Sequence, residues 1–319
     1  MPPLRKHQSH QNHQNHRQQK RKRRAPLPVT STPAAPPVPT ITLNNGVRIP
    51  QLGFGVWQVP DAEAVPAVRT ALEAGYRSVD TAEIYENEKG TGQAIAESGV
   101  ARDELFVTTK LWNSGTVDWS GEQGRDRVLR TFDESLGRLG LDVLDLYLIH
   151  WPRPMHGNAF LNIWRAFEQL HAEGRVRAIG VSNFRVPDLQ LLLAEAEVKP
   201  VLNQIELHPY FPQEELRALH AEHGIATEAW SPLGQGKDLL AEPALLAVAA
   251  KHGRTAAQVV LRWHLQSGVI AIPKSVTPAR IRENLDITGF ELDAEDLAAV
   301  AGIATGRRIG PDPADFDWN

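Results

Sequence analysis

YRSVDTAEIYENEKGTGQAIAESGVARDELFVTTKL, residues 76–111, decides the fold. A short β-branched run ends at Asp80, an amphipathic stretch follows near 87–98, and a second apolar run, LFVTTKL, closes on Lys110 and Leu111. The two runs read as strands and the stretch between them as a helix. Strands joined through a helical crossover lie parallel, because the crossover returns the chain to the same edge. Asp80 then stands at one strand end, Tyr85 just beyond it and Lys110 at the next strand end, so a carboxylate, a phenol and an amine need a common explanation.

The same rhythm runs outward in both directions. Upstream, ITLNNGVRIP (41–50) holds two strand-like pieces around Asn45-Gly46, a hairpin signal, and is expected to lid the floor of a barrel. LGFGVW leads to a helix near 61–74, and LFVTTKL to one near 122–138. VLDLYLIHW precedes a helix near 160–173, VRAIGVSN one near 187–196, and VLNQIEL one near 213–223. IATEAWSPL leads to helical segments within 239–267, VIAIPKS to a helix near 278–285, and a last helix is expected near 293–303. Eight strand–helix units in residues 41–319 predict an α/β fold, a (β/α)8 TIM barrel with an N-terminal β-hairpin and extra helices. The competing open, doubly wound sheet wants a glycine-rich fingerprint after its first strand. GFG at 53–55 lacks the third glycine, GTGQAIA at 90–96 falls inside a predicted helix, and GQGKD at 234–238 lacks the spacing of a phosphate loop.

The chain has 319 residues, 42% hydrophobic and 23% charged, enough for one large core. No apolar run reaches the roughly 20 residues that span a bilayer. With no cysteine, a disulfide framework, a thiolate metal site and a cysteine nucleophile are excluded, and the composition suits a reducing cytoplasm. Residues 1–24 hold eight of the 34 Lys/Arg and no acid, and residues 25–40 are uncharged with six prolines. The segment 1–40 reads as a disordered basic and Pro-rich leader: a solvated extension, an overlong start to the reading frame, or a tether for nucleic acid or acidic lipid through KRKRR. Beyond it, 26 basic groups face 38 acidic ones, a net of −12. A body this acidic gives no reason to expect nucleic acid on the barrel.

In a TIM barrel the chemistry sits where strands give way to βα loops. Asp80 and Tyr85 follow the second strand, Lys110 closes the third and His150 closes the fourth. Singly, Asp80 could cap a helix, Tyr85 could be core, and His150 could be a satisfied core residue. Lys110 is harder to dismiss, because a buried ammonium needs a carboxylate and the neighbouring strand offers Asp80. No second histidine or carboxylate cluster supports a metal. Together the four suit protonation of an alkoxide: Lys110 lowers the phenol's pKa from about 10, Asp80 holds Lys110, and a neutral His150 orients a carbonyl oxygen. The hydride must come from elsewhere, which implies a nicotinamide cofactor.

GYRSVDTAEIYENE, KLW, YLIHWP, GVSNF, SPLGQG and IPKSVTPARIRENL, in this order, resemble the aldo-keto reductase superfamily, in particular its bacterial 2,5-diketo-gluconate reductase-like members. The likeness runs from about residue 41 to about 305. It implies a tetrad of Asp80, Tyr85, Lys110 and His150, with Tyr85 as proton donor, and NADPH bound without a Rossmann domain. By the same resemblance Ser182, Asn183 and Gln204 would bind the nicotinamide carboxamide. Trp230, where many members carry tyrosine, would stack on the ring. Ser231, Leu233, Gln235 and Gly236 would line the pyrophosphate. Lys274, Ser275 and Arg280 would take the 2′-phosphate, which favours NADPH over NADH, and Glu283 and Asn284 would reach the adenine.

Eight tryptophans are generous, and Trp57, Trp112 and Trp151 fall at the ends of strands one, three and four. They suggest an apolar wall for a small carbonyl substrate. The loops 113–121 and 153–160 and the tail after 304 look short, so a shallow pocket is expected, with Phe316 or Trp318 folded over its mouth. The expected activity is NADPH-dependent reduction of aldehydes and ketones, with keto-sugars or dicarbonyls among the substrates, by a monomer that needs no membrane. A different class stays open: a non-catalytic sensor or subunit that binds NADPH on the same fold.

Overall fold

The computed structural model describes residues 37–317; the expected leader, apart from residues 37–40, lies outside the described residues. The first two strands, β1 (Thr40–Thr42) and β2 (Arg48–Pro50), form an antiparallel hairpin that pairs Ile41 with Ile49. Gly46 takes the left-handed turn position, φ +85°, that its Asn-Gly signal demands. Leu43 and Ile49 pack onto Phe106, Leu146, Ala178 and Leu202, and Asn44 and Asn45 hydrogen-bond the carbonyls of Pro200 and Arg177. The hairpin therefore closes the end of the barrel where strands begin.

Eight parallel strands follow in chain order: β3 (Phe54–Gly55), β4 (Ser78–Asp80), β5 (Phe106–Leu111), β6 (Leu144–Ile149), β7 (Val176–Ser182), β8 (Leu202–Glu206), β9 (Ala226–Trp230) and β10 (Ile270–Ala271). The ring closes between its shortest members. Gly53 N–H donates to the Ala271 carbonyl at 2.9 Å, and Ala271 N–H donates to Gln51 at 3.0 Å. In β6 the pleat sends Leu146 and Leu148 to the barrel interior and Tyr147 and Ile149 to the helical layer.

That outer layer comprises α1 (Asp61–Ala74), α2 (Glu88–Glu97), α3 (Gly121–Leu139), α4 (Phe160–Ala172), α5 (Val186–Glu195), α6 (Glu214–His223), α7 (Pro243–His252), α8 (Ala256–Gln266), α9 (Pro278–Leu285) and α10 (Ala294–Ala301). Helices α7 and α10 are the extra ones, and Lys251 and His252 on α7 grip Asp296 of α10. Thr255 caps α8 in a reciprocal pair with Gln258.

The glycines of GTGQAIA serve packing. Glycine is poor in a helix interior, but a Cβ on Gly90 would lie 2.2 Å from the Asp61 carbonyl oxygen and one on Gly92 2.3 Å from that of Leu139. Their absence lets α2 touch α1 and α3 backbone to backbone. Gly92→Ala should therefore destabilise the fold by about 1–3 kcal/mol despite the better helix propensity of alanine. A urea denaturation with a lowered midpoint and an unchanged slope is the expected outcome.

Candidate active site

The strand ends of β4 to β6 deliver the expected cluster. Lys110 is fully buried in β5, and its Nζ lies 2.6 Å from Asp80 Oδ1 at the end of β4 and 2.9 Å from the Thr81 carbonyl. Asp80 is thus an ion-pair partner and not a helix cap. Burial pulls the Lys110 ammonium down, but Asp80, with Tyr85 and Glu228, outweighs it and holds the group above its ordinary value.

Tyr85 ends a single 3₁₀ turn, Glu83–Tyr85, in the loop after β4. The acids around it hold that loop. Glu83 accepts from the Trp112 backbone N–H at 2.9 Å, while Glu88 accepts from Thr109 and pairs with Arg138, both at 2.6 Å. Asn87, fully buried, donates to the carbonyls of Val56 and Val59, both at 2.8 Å. So fixed, the Tyr85 ring lies with its centroid 5.1 Å from Lys110 Nζ. Burial pushes the phenol above its ordinary value, and the Lys110 charge only partly opposes it. The expectation that Lys110 would bring the free protein's phenol toward neutral is corrected: desolvation outweighs the charge.

His150 follows β6 and meets the Tyr85 ring edge-on at 5.7 Å between centroids. Burial, with the charges of Lys110 and Arg153, holds its imidazole well below the ordinary value, so the ring is neutral at neutral pH. Trp112 packs edge-on to His150 at 5.5 Å, and Trp151 stacks on Phe316 at 3.8 Å. Trp57 is 38% exposed after β3. The tail is more than a short end. Thr305 and Gly306 bond the Tyr210 carbonyl, Arg307 forks onto Asp238, and the N–H groups of Ile309 and Gly310 donate to buried Glu206. Phe316 lands over Trp151 and Asp317 reaches Arg153 at 3.2 Å; Trp318 lies outside the described residues.

The other strand ends carry the polar half. Ser182 Oγ donates to the Gln204 carbonyl at 2.8 Å, and Asn183, at a left-handed φ of 65°, donates to the His150 carbonyl at 2.9 Å and accepts from Trp230 Nε1 at 2.8 Å. Gln204 Nε2 donates to both Asp80 and Glu228. In the loop after β9, Ser231, Gly234, Gln235 and Gly236 all take left-handed φ, with Leu233 half-buried among them. The N–H groups of Gly234 and Gly236 donate to the carbonyls of Ser231 and Leu233, at 2.9 and 3.1 Å, so the loop is a pair of tight turns with Gln235 and Gly236 exposed. Beyond β10, Lys274 and Arg280 are exposed, Ser275 is half-buried, and neither cation has an ion-pair partner among the described residues. Glu283 accepts from Thr255 at 2.8 Å, and Asn284 is buried on α9. Sequence reasoning missed Glu206, Glu228 and Arg153. The available signal was a glutamate inside each of two apolar strands.

Comparison with known proteins accords with this architecture. The Aldo/keto reductase family model matches residues 51–305. An aldo-keto reductase of Mycolicibacterium smegmatis is 54% identical over 280 residues, covering 88% of this chain and 98% of that one. A glyoxal reductase of Bacillus subtilis is 50% identical over 278 residues, 87% of this chain and 97% of its own. A structure of a Gox0644 mutant in complex with NADPH superimposes with a TM-score of 0.81 at 46% identity, covering 88% of this chain and 99% of that one. A buried lysine–aspartate pair at the mouth of a parallel barrel, and a match to the family model across most of the fold, lead to one conclusion: the chain belongs to the aldo/keto reductase family and is an oxidoreductase acting on carbonyl groups.

Proposed function

We propose that the protein reduces small aldehydes and ketones to alcohols with NADPH, with dicarbonyls the favoured class and Tyr85 the proton donor. The observation that carries this reading is the buried Lys110–Asp80 pair beneath the Tyr85 ring, with a neutral His150 beside it. The relative named glyoxal reductase supports the dicarbonyl class. The aromatic wall of Trp112, Trp151 and Phe316, with Trp57 at its rim, suits a small and partly apolar substrate.

The residues present fit the cofactor. Trp230 offers a half-buried π-face, and the tight loop Ser231–Gly236, exposed at Gln235 and Gly236, lets a pyrophosphate come close to the backbone. Lys274 and Arg280, without an ion-pair partner among the described residues, offer two cations beside the start of α9 for a 2′-phosphate. Ser182, Asn183 and Gln204 supply amide and hydroxyl groups for the carboxamide, with Glu283 and Asn284 toward the adenine side. When bound, the cofactor would supply the hydride that the reduction needs. His150 hydrogen-bonds the carbonyl oxygen and orients it. Tyr85 gives its proton to that oxygen as alkoxide character develops, and the Lys110 ammonium stabilises the phenolate left behind. Asp80 keeps Lys110 charged and in place. The division into a leader, 1–40, and a barrel, 41–319, remains part of the proposal, since none of these groups lies before Trp57.

NADPH absorbance with a panel of dicarbonyls, aldehydes and keto-sugars tests the reading directly. Carbonyl-dependent loss is expected; NADPH binding without turnover would favour a sensor or subunit. Tyr85→Phe keeps the ring and removes the proton. It should lower reduction by about 10²–10⁴ with NADPH affinity retained, and full turnover would remove the mechanism. The double change Lys274→Ala and Arg280→Ala should weaken NADPH by about 10–100-fold, a combined loss of about 1.5–3 kcal/mol for two solvent-exposed cations. NADH affinity should hardly change, which fluorescence titration of both cofactors can check.

A further inference from the structure

Beneath the proposed ring site two buried carboxyls share one amide. Glu228, on β9, is 1% exposed, and its Oε2 accepts from Gln204 Nε2 at 2.7 Å. The same nitrogen donates to Asp80 Oδ2 at 2.8 Å, so its two hydrogens tie the carboxyls together. The one cation beside them is Lys110, 2.6 Å from Asp80, and no lysine or arginine pairs with Glu228 among the described residues. The ionisable groups acting on Glu228 are Asp80 from β4 and Lys110 from β5; its in-register neighbours, Gln204 on β8 and Ile270 on β10, do not titrate. One ammonium neutralises one carboxylate, and a second bare carboxylate in such a place is costly, so the second carboxyl keeps its proton. Burial first, and then the charge of Asp80, push Glu228 up to about 8.

We propose that Glu228 is a proton-linked counter-charge for the oxidised cofactor, protonated beside the neutral ring of NADPH and ionised beside the positive ring of NADP⁺. This rests on the reading above, which puts the ring at Trp230 and Gln204. Glu228 bonds one of those residues and precedes the other on the same strand. The step is an acid dissociation. The Glu228 O–H bond breaks, the proton leaves to solvent, and no electron moves. Glu228 touches no reacting atom in this scheme and is a positioning residue for charge.

A group that binds its proton in the free protein and loses it in the complex makes affinity rise with pH up to its free pKa, then level off. The affinity for NADP⁺ should therefore rise from pH 6 to about 8 while that for NADPH does not follow. The ratio of the two dissociation constants cancels titration of the 2′-phosphate, which both forms share. It should fall about tenfold for each pH unit between the lowered pKa in the complex and the free one. In Glu228→Gln, which keeps an acceptor for Gln204, the ratio should be flat. A flat ratio in the wild type, or an undiminished slope in the variant, overturns the proposal. If the wild type binds neither form, the parent reading fails and this one with it, a result distinct from binding with a flat ratio. Should the variant not fold, calorimetry of the wild type in two buffers of different ionisation enthalpy decides. Proton release on binding NADP⁺ near pH 7 supports the assignment, and release equal to that seen with NADPH overturns it.

Discussion

An ammonium with none of its surface in water is the constraint to which the site is built. Lys110 would be intolerable in the barrel wall without compensation, since a buried ion carries a penalty of several kcal/mol. Asp80, the Thr81 carbonyl and the face of Tyr85 supply that compensation from the strand next door and its loop. The β4–β5 register pairs Asp80 with Thr108, which leaves the carboxylate level with the lysine two residues on. A slip of one residue would turn Lys110 to the helical layer and strip it of every partner. Register, ion pair and phenol position are therefore one solution and not three.

The direction of the Tyr85 shift fits the chemistry proposed for it. A donor that ionised at rest would have no proton to give. A phenol held high by burial keeps its proton until an alkoxide, a far stronger base, forms beside it. The lysine then acts on the product of the transfer, where its charge matters most. A neutral His150 completes the set, because an imidazolium so near Lys110 would add a second cation to a space with one committed anion.

The barrel was legible because its signal is local: β-branched runs alternate with amphipathic ones, and the hairpin turn announces itself as Asn-Gly. The cluster of Asp80, Tyr85, Lys110 and His150 was legible because strand ends in such a fold face one pocket, and the glycines of GTGQAIA were expected inside a helix, where α2 carries them. What they do there was invisible, since Gly90 and Gly92 answer to carbonyls 29 and 47 residues away. The same holds for Glu206, Glu228 and Arg153. A glutamate inside an apolar strand shows that Glu206 and Glu228 need partners, but those partners come from distant segments and the sequence does not name them. The sign of the Tyr85 shift was likewise out of reach, because residue order names the charges but not the depth of water around them.

The tail is seated by its backbone. Glu206 receives the main-chain N–H groups of Ile309 and Gly310, and Tyr210 receives those of Thr305 and Gly306. Side chains add to that seat, with Arg307 forked onto Asp238 and Asp317 on Arg153, and at Gly310 a Cβ would strike the Trp230 ring. None of these anchors touches Lys110 or Asp80, so the tail and the buried ion pair are held by separate sets of contacts, and a change in one need not move the other.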